Sequence, residues 1–411
     1  MAAKARGWVY LDNNATTRVD PRVVAAMLPF FTEQYGNASS MHALGSQVAE
    51  AVRVARSQVQ RLVGAAFDQE IVFTSGGTES NNTAILSALA TQTGRDEVIT
   101  SMVEHPAVLA LCEILEKRRG VKVHRLPVDS RGRLDLDAYR RVLNSRTAIV
   151  SLMWANNETG TLFPVAELAA LAHEAGALFH TDAVQAAGKL ALNLKGTAID
   201  MASFSAHKMH GPKGIGALYV RKGVRLSPLV HGGRQERGRR AGTENVPAIV
   251  GFGKAAELVG ASLEYEIPRL RALRDWLESF LLQRVPGAVV IGDKANRLPN
   301  TLNMAFEDLE SEAILLLLDR EGIAASSGSA CAAGSMESSH VLRAMKAPWT
   351  AARGAIRFSF SRENSFQDVG CVLAVLPPIV ERLRDLPPAQ VGQQPPLPRS
   401  IRATCSEASH G

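Results

Sequence analysis

From about residue 68 to residue 220, short β-branched runs alternate with longer alanine- and leucine-rich stretches whose apolar residues recur at helical spacing. Residues 70–74, 97–100, 121–125, 148–153, 177–180, 201–205 and 216–220 read as strands. Residues 81–91, 106–119, 135–143 and 165–174 read as the helices between them. Strands apolar on both faces need cover on both sides. The pattern therefore predicts an α/β fold with a mostly parallel seven-stranded sheet between helices. Ligands of such sheets bind beyond the strand C-termini, so chemistry is sought directly after each strand.

A long helical pattern follows over 247–284, with an interruption expected near Pro268. Strand patterns at 289–291, 301–306 and 355–360, with a helix at 311–321, predict a smaller α+β domain. The expected division is 15–262 for a large cofactor-binding domain, and 1–14 with 263–385 for the small one. Residues 386–411 carry five prolines and little apolar periodicity, the composition of a disordered tail.

Composition narrows the function classes. Apolar residues make up 46% and charged residues 21%, which excludes a chain disordered throughout. Apolar runs such as 313–318 reach six residues, far short of the roughly 20 of a membrane span, and no leader is evident. The four cysteines, Cys112, Cys331, Cys371 and Cys405, form no CxxC pair, so neither a metal site nor a disulfide framework is indicated. That usage suits a reducing cytoplasm. The net charge is +6, but the densest basic run, 231–243, holds no aromatic residue, which argues against nucleic acid.

At the first strand end, Thr74-Ser-Gly-Gly-Thr-Glu-Ser80 runs into a helix. Its glycines allow a tight turn, Thr78 can cap, and helix N–H groups are left for a phosphate. An ordinary capped turn explains that segment equally well. Two further strand ends decide between these readings: Asp182 follows one apolar strand, and Lys208, 26 residues on, follows the next. Pyridoxal 5'-phosphate explains the set. It needs a lysine for its Schiff base, a carboxylate for its ring nitrogen and a helix N-terminus for its phosphate.

These segments, with Tyr10-Leu-Asp-Asn-Asn-Ala-Thr-Thr17, Val103-Glu-His105, Ala155-Asn-Asn-Glu-Thr-Gly160, His180-Thr-Asp-Ala-Val-Gln185, Ser205-Ala-His-Lys208 and Ser326-Ser-Gly-Ser-Ala-Cys331, resemble the cysteine desulfurases. Those are class V, fold-type-I pyridoxal-phosphate enzymes, and the likeness runs from residue 8 to about 385. The segments 104–108, 153–157, 232–240 and 356–362, including Ser361, are most similar to the nitrogen-fixation type, NifS.

The resemblance implies a role for each matching residue. Lys208 holds the cofactor and moves the Cα proton. His105 stacks on the ring and assists proton transfer. Asp182, Gln185 and Asn157 contact the ring, while Gly77, Thr78, Ser205 and His207 bind the phosphate. Thr243 serves the neighbouring subunit of a homodimer with shared active sites. Arg357 clamps the carboxylate of L-cysteine, with Asn157 and Asn13 beside the substrate. Cys331, in a run of small residues that predicts a mobile loop, accepts the sulfur as a persulfide. It serves as a transient iron–sulfur ligand when passing that sulfur to a NifU-type scaffold. His105 is the expected base for its thiol. The alternatives left open are a housekeeping desulfurase, a selenocysteine lyase, a class V aminotransferase, a thiol hydrolase and a silent sulfur carrier.

Overall fold

Each predicted strand of the large region forms, and its apolar run is what the structure buries. In the computed structural model, which describes residues 7–327 and 339–385, the strands are numbered along the chain. β1 is Val9–Tyr10, β2 Ile71–Thr74, β3 Glu97–Ser101, β4 Lys122–Leu126 and β5 Thr147–Met153. β6 is Leu178–Asp182, β7 Met201–Ser205 and β8 Gly216–Val220. β9 is Ala288–Ile291, β10 Thr301–Phe306, β11 Ile323–Ala324 and β12 Ala355–Ser359. The Cys331 loop and the tail 386–411 lie outside the described residues.

One seven-stranded sheet has the order β2-β8-β7-β6-β5-β3-β4. The five strands from β7 to β4 are parallel, and β8 runs antiparallel to both its neighbours. Every residue of β2, β3, β5, β7 and β8 is buried, as helices on both faces require. The edge strand β4 exposes Lys122, a charge that discourages pairing with another chain. A second, three-stranded antiparallel sheet, β12-β10-β9, has its own apolar cluster, which includes Leu11, Leu273, Leu277 and Phe358. The N-terminal segment belongs with that cluster: β1 pairs with β11, and Asp12 bridges to Ser359.

Two elements differ from expectation. The helix after β2 starts at Gly77 rather than residue 81. A Cβ on Gly77 would come within 2.8 Å of Val184 Cγ2, so glycine lets the first helical turn approach the end of β6. The helix Val246–Arg284 runs unbroken for 39 residues through Pro268. Its first part buries Val246, Ile249, Phe252 and Val259, and its last part buries Leu270, Leu273, Leu277 and Leu281. Burial at both ends offsets the roughly 3 kcal/mol that an interior proline costs, and Pro268 itself is exposed. By length and composition this helix could cross a membrane, yet half of its most apolar window is buried inside the protein, as in a core helix.

Candidate active site

The sheet delivers its polar residues at one edge because each follows a strand C-terminus. Asp182 ends β6, Ser205 ends β7, and the turn Ala206–Lys208 follows at once. The helix Gly77–Thr91 begins just after β2, and His105 caps the helix Pro106–Arg119 just after β3. Asn157 lies in the turn after β5, and Arg357 comes from β12 of the second sheet. Gly77, Thr78, His105, Asn157, Asp182, Gln185, Ser205, His207, Lys208 and Arg357 line one cavity of about 400 Å³.

The charges in this cavity are incompletely matched. Asp182 is 8% exposed; its Oδ2 accepts from Asn81 Nδ2 at 2.7 Å and its Oδ1 from Val184 N at 3.0 Å. Among the described residues no cation comes within ion-pair reach of it. A buried carboxylate served only by neutral donors matches a protonated ring nitrogen. Lys208 Nζ donates to the carbonyls of Asn14 (2.6 Å) and Ala15 (2.7 Å). No side chain caps the helix Gly77–Thr91, so its leading N–H groups are left for an anion. Thr78 does not cap, contrary to expectation, because it lies inside the first turn and Gly76 holds the cap position. Burial, helped by Lys208 and Lys213, pushes the His207 pKa down to about 4, so that ring is neutral near neutrality. Lysine, isolated carboxylate and open helix end together fit pyridoxal phosphate.

Two of the cavity's three imidazoles, His105 and His340, are held through opposite ring nitrogens. His105 Nδ1 accepts from Ala107 N (3.1 Å), so in the neutral ring Nε2 carries the proton. Burial, with Lys208 nearby, lowers its pKa and keeps it neutral. His105 thus presents a donor, not the base nitrogen expected for a thiol proton. His340 Nε2 donates to the Glu104 carbonyl (2.9 Å). Ser339 holds His340 in place: its Oγ accepts from Val341 N and Leu342 N and donates to Glu158 (2.5 Å). Burial raises the pKa of Glu158, and raises that of Glu104 to about 8.

Arg357, 2% exposed, donates to Asp12 Oδ1 (2.6 Å) and the Asn157 carbonyl (2.9 Å). Asn13 is not part of the cavity. Its amide turns to the carbonyls of Ser359 (2.8 Å) and Tyr10 (3.2 Å), and Asn14 lines the cavity instead, because neighbours in this turn face opposite sides. Thr243 is exposed before the helix Val246–Arg284 and does not line the cavity of its own chain. Sequence reasoning missed Asp12, Asn81, Glu158 and His340. Asp12 and Glu158 stood in quoted motifs, but only contacts between distant segments single out Asn81 and His340.

A family model, aminotransferase class-V, matches residues 9–372. A cysteine desulfurase of Gluconacetobacter diazotrophicus is 68% identical over 380 residues, covering 92% of this chain and 95% of its own. The cysteine desulfurase NifS of Azotobacter vinelandii is 58% identical over 387 residues, covering 94% and 96%. A solved structure named a NifS-like protein superposes with a TM-score of 0.85 at 40% identity, covering 92% of this chain and all of its own.

Proposed function

This chain belongs to the class-V aminotransferase family and is a pyridoxal-phosphate-dependent cysteine desulfurase; we propose that it converts L-cysteine to L-alanine, taking the sulfur on Cys331 for delivery to an iron–sulfur scaffold. The observation that carries this reading is one cavity holding Lys208, Asp182, the uncapped helix start at Gly77, and Arg357.

Bound there, pyridoxal phosphate supplies an electron sink for the Cα–H bond of the substrate. Asp182 holds a positive charge at the ring nitrogen, and the amides at Gly77 and Thr78, with Ser205 and His207, bind the phosphate. Arg357 grips the substrate carboxylate with its planar guanidinium. Lys208 Nζ takes the Cα proton, and His105 holds its proton at Nε2. Cys331 Sγ then attacks the substrate sulfur: the C–S bond breaks and an S–S bond forms. Cβ gains the proton that the Cys331 thiol gives up and Lys208 returns the Cα proton, leaving a Cys331 persulfide and alanine.

We also read residues 15–262 as the cofactor-binding domain and 1–14 with 263–385 as the smaller one, built on the apolar cluster that includes Leu11, Leu273 and Phe358. Thr243 belongs in the cavity of a second copy, which makes the enzyme a homodimer. Likeness to NifS supports a NifU-type scaffold serving nitrogenase, in the cytoplasm, where free thiols such as buried Cys112 persist. Incubating the purified protein with L-cysteine and a thiol reductant should yield alanine and sulfide without a keto acid. Cys331→Ala should keep the cofactor absorbance and stop sulfur release; continued release would overturn the assignment.

A further inference from the structure

Lys189 is a buried charge that this mechanism leaves without a task. It is 6% exposed, and its Nζ donates to Gln185 Oε1 (2.5 Å) and Asn14 Oδ1 (3.0 Å). No carboxylate among the described residues lies within ion-pair distance of it. Glu266 and His210 share the small space behind it but are engaged elsewhere, Glu266 with Arg269 and His210 with the Arg18 carbonyl. Burying an ammonium group without a carboxylate costs several kcal/mol. Burial, then Lys208 and Arg357, accordingly drive its pKa down. A fold that tolerates such a cost over the ligand cavity gains something by it.

The gain is visible one bond away. Gln185 and Asn14 both line the cavity; Lys189 does not. With Oε1 held by Lys189, the Gln185 amide has one orientation: Nε2 donates to the Asn14 carbonyl (3.0 Å) and has a second hydrogen to offer. Turned over, Oε1 would face that carbonyl, and Lys189 would lose its acceptor. The same Asn14 carbonyl accepts from Lys208 Nζ, and Asn14 Oδ1 also accepts from Asn300 Nδ2 (3.1 Å). One amine thus sets the donor pattern of two cavity residues.

We propose that Lys189 is a positioning residue that locks the Gln185 amide with its N–H toward the phenolic oxygen of the cofactor, so that this donor keeps the oxygen ionised. This rests on reading the cavity as the pyridoxal-phosphate site. Lys189→Met in the full-length holoprotein removes the donor, while Lys208, Arg357, Asp182, His105, His207, Glu104 and Glu158 stay in place. The pH midpoint of the absorbance change of the bound cofactor should rise by about one unit. Cofactor retention on dialysis should fall about tenfold. Lys189→Gln, which keeps a neutral donor, should fall between the two and serves if the methionine variant does not fold. A purely structural lysine would lower the melting temperature and leave the midpoint at its wild-type value; that result overturns the proposal. A wild-type protein that binds no pyridoxal phosphate would instead overturn the reading of the cavity.

Discussion

Arg56 and Glu236 are joined by two short bonds of 2.6 and 2.7 Å. Arg56 also donates to the Ile71 carbonyl and stands 4.8 Å from the Phe73 ring centre, and Glu236 accepts from Phe73 N. This matched pair pins a turn in which Glu236 and Arg237 both adopt left-handed φ, 46° and 59°. Such strain, about 1–3 kcal/mol per residue, persists where the surroundings over-determine it. Around the cavity Arg357 pairs with Asp12, but other buried ionisable groups stand apart. Asp182, Lys189, Glu104 and Glu158 have no ion-pair partner among the described residues, and each is held by neutral groups. The scaffold closes its charges on each other, whereas the cavity keeps them for an incoming molecule.

The largest test of that contrast is Lys208→Ala, which should remove the cofactor's lysine-linked absorbance and cut desulfurase turnover about 10³-fold or more. A normal spectrum in this variant would break the assignment. On the scaffold side, Arg56→Leu should cost about 3–5 kcal/mol, because it strands the buried Glu236 carboxylate. Denaturant unfolding measures that loss, and turnover per folded molecule should stay near wild type. Arg357→Lys should raise KM for L-cysteine about tenfold, since an ammonium cannot replace a planar two-point grip; an unchanged KM would place the carboxylate elsewhere.

A further test is a pH dependence. Burial raises the folded-state pKa of Glu104 to about 8, while the unfolded chain loses that proton near the ordinary carboxylate value. The contribution of Glu104 to stability is therefore fully present at acid pH. It falls as pH rises toward 8, by about 1.4 kcal/mol per unit where only the folded state is protonated. Glu104→Gln should flatten that part of the stability–pH profile; an unchanged slope would mean that Glu104 ionises normally.

Much of the site was legible because strand-end chemistry is local. Asp182 and Lys208 each follow an apolar strand, and the Ser-Gly-Gly turn precedes a helix, so short patterns located them. Asn13 and Asn14 show the limit of such patterns: both stood in the motif, and only the turn geometry sends Asn14 into the cavity and Asn13 into the protein. His340 had no local signal at all. Its place depends on Ser339 reaching Glu158, a contact across 181 positions of chain. Pro268 marked a break that local rules favour and that burial on two separate clusters overrides.

The sequence by itself determined the alternation of strands and helices, hence the parallel sheet and the edge where its ligand sits, because period and strand-end residue type are properties of adjacent residues. Tertiary structure alone decided the direction of each polar atom. Which nitrogen of His105 carries the proton, which way the Gln185 amide faces, and which buried charges stay unmatched depend on Ala107 N, Lys189 and Asn14. Those orientations follow from hydrogen-bond geometry over a few ångströms, and Asn14 lies 171 residues from Gln185 along the chain.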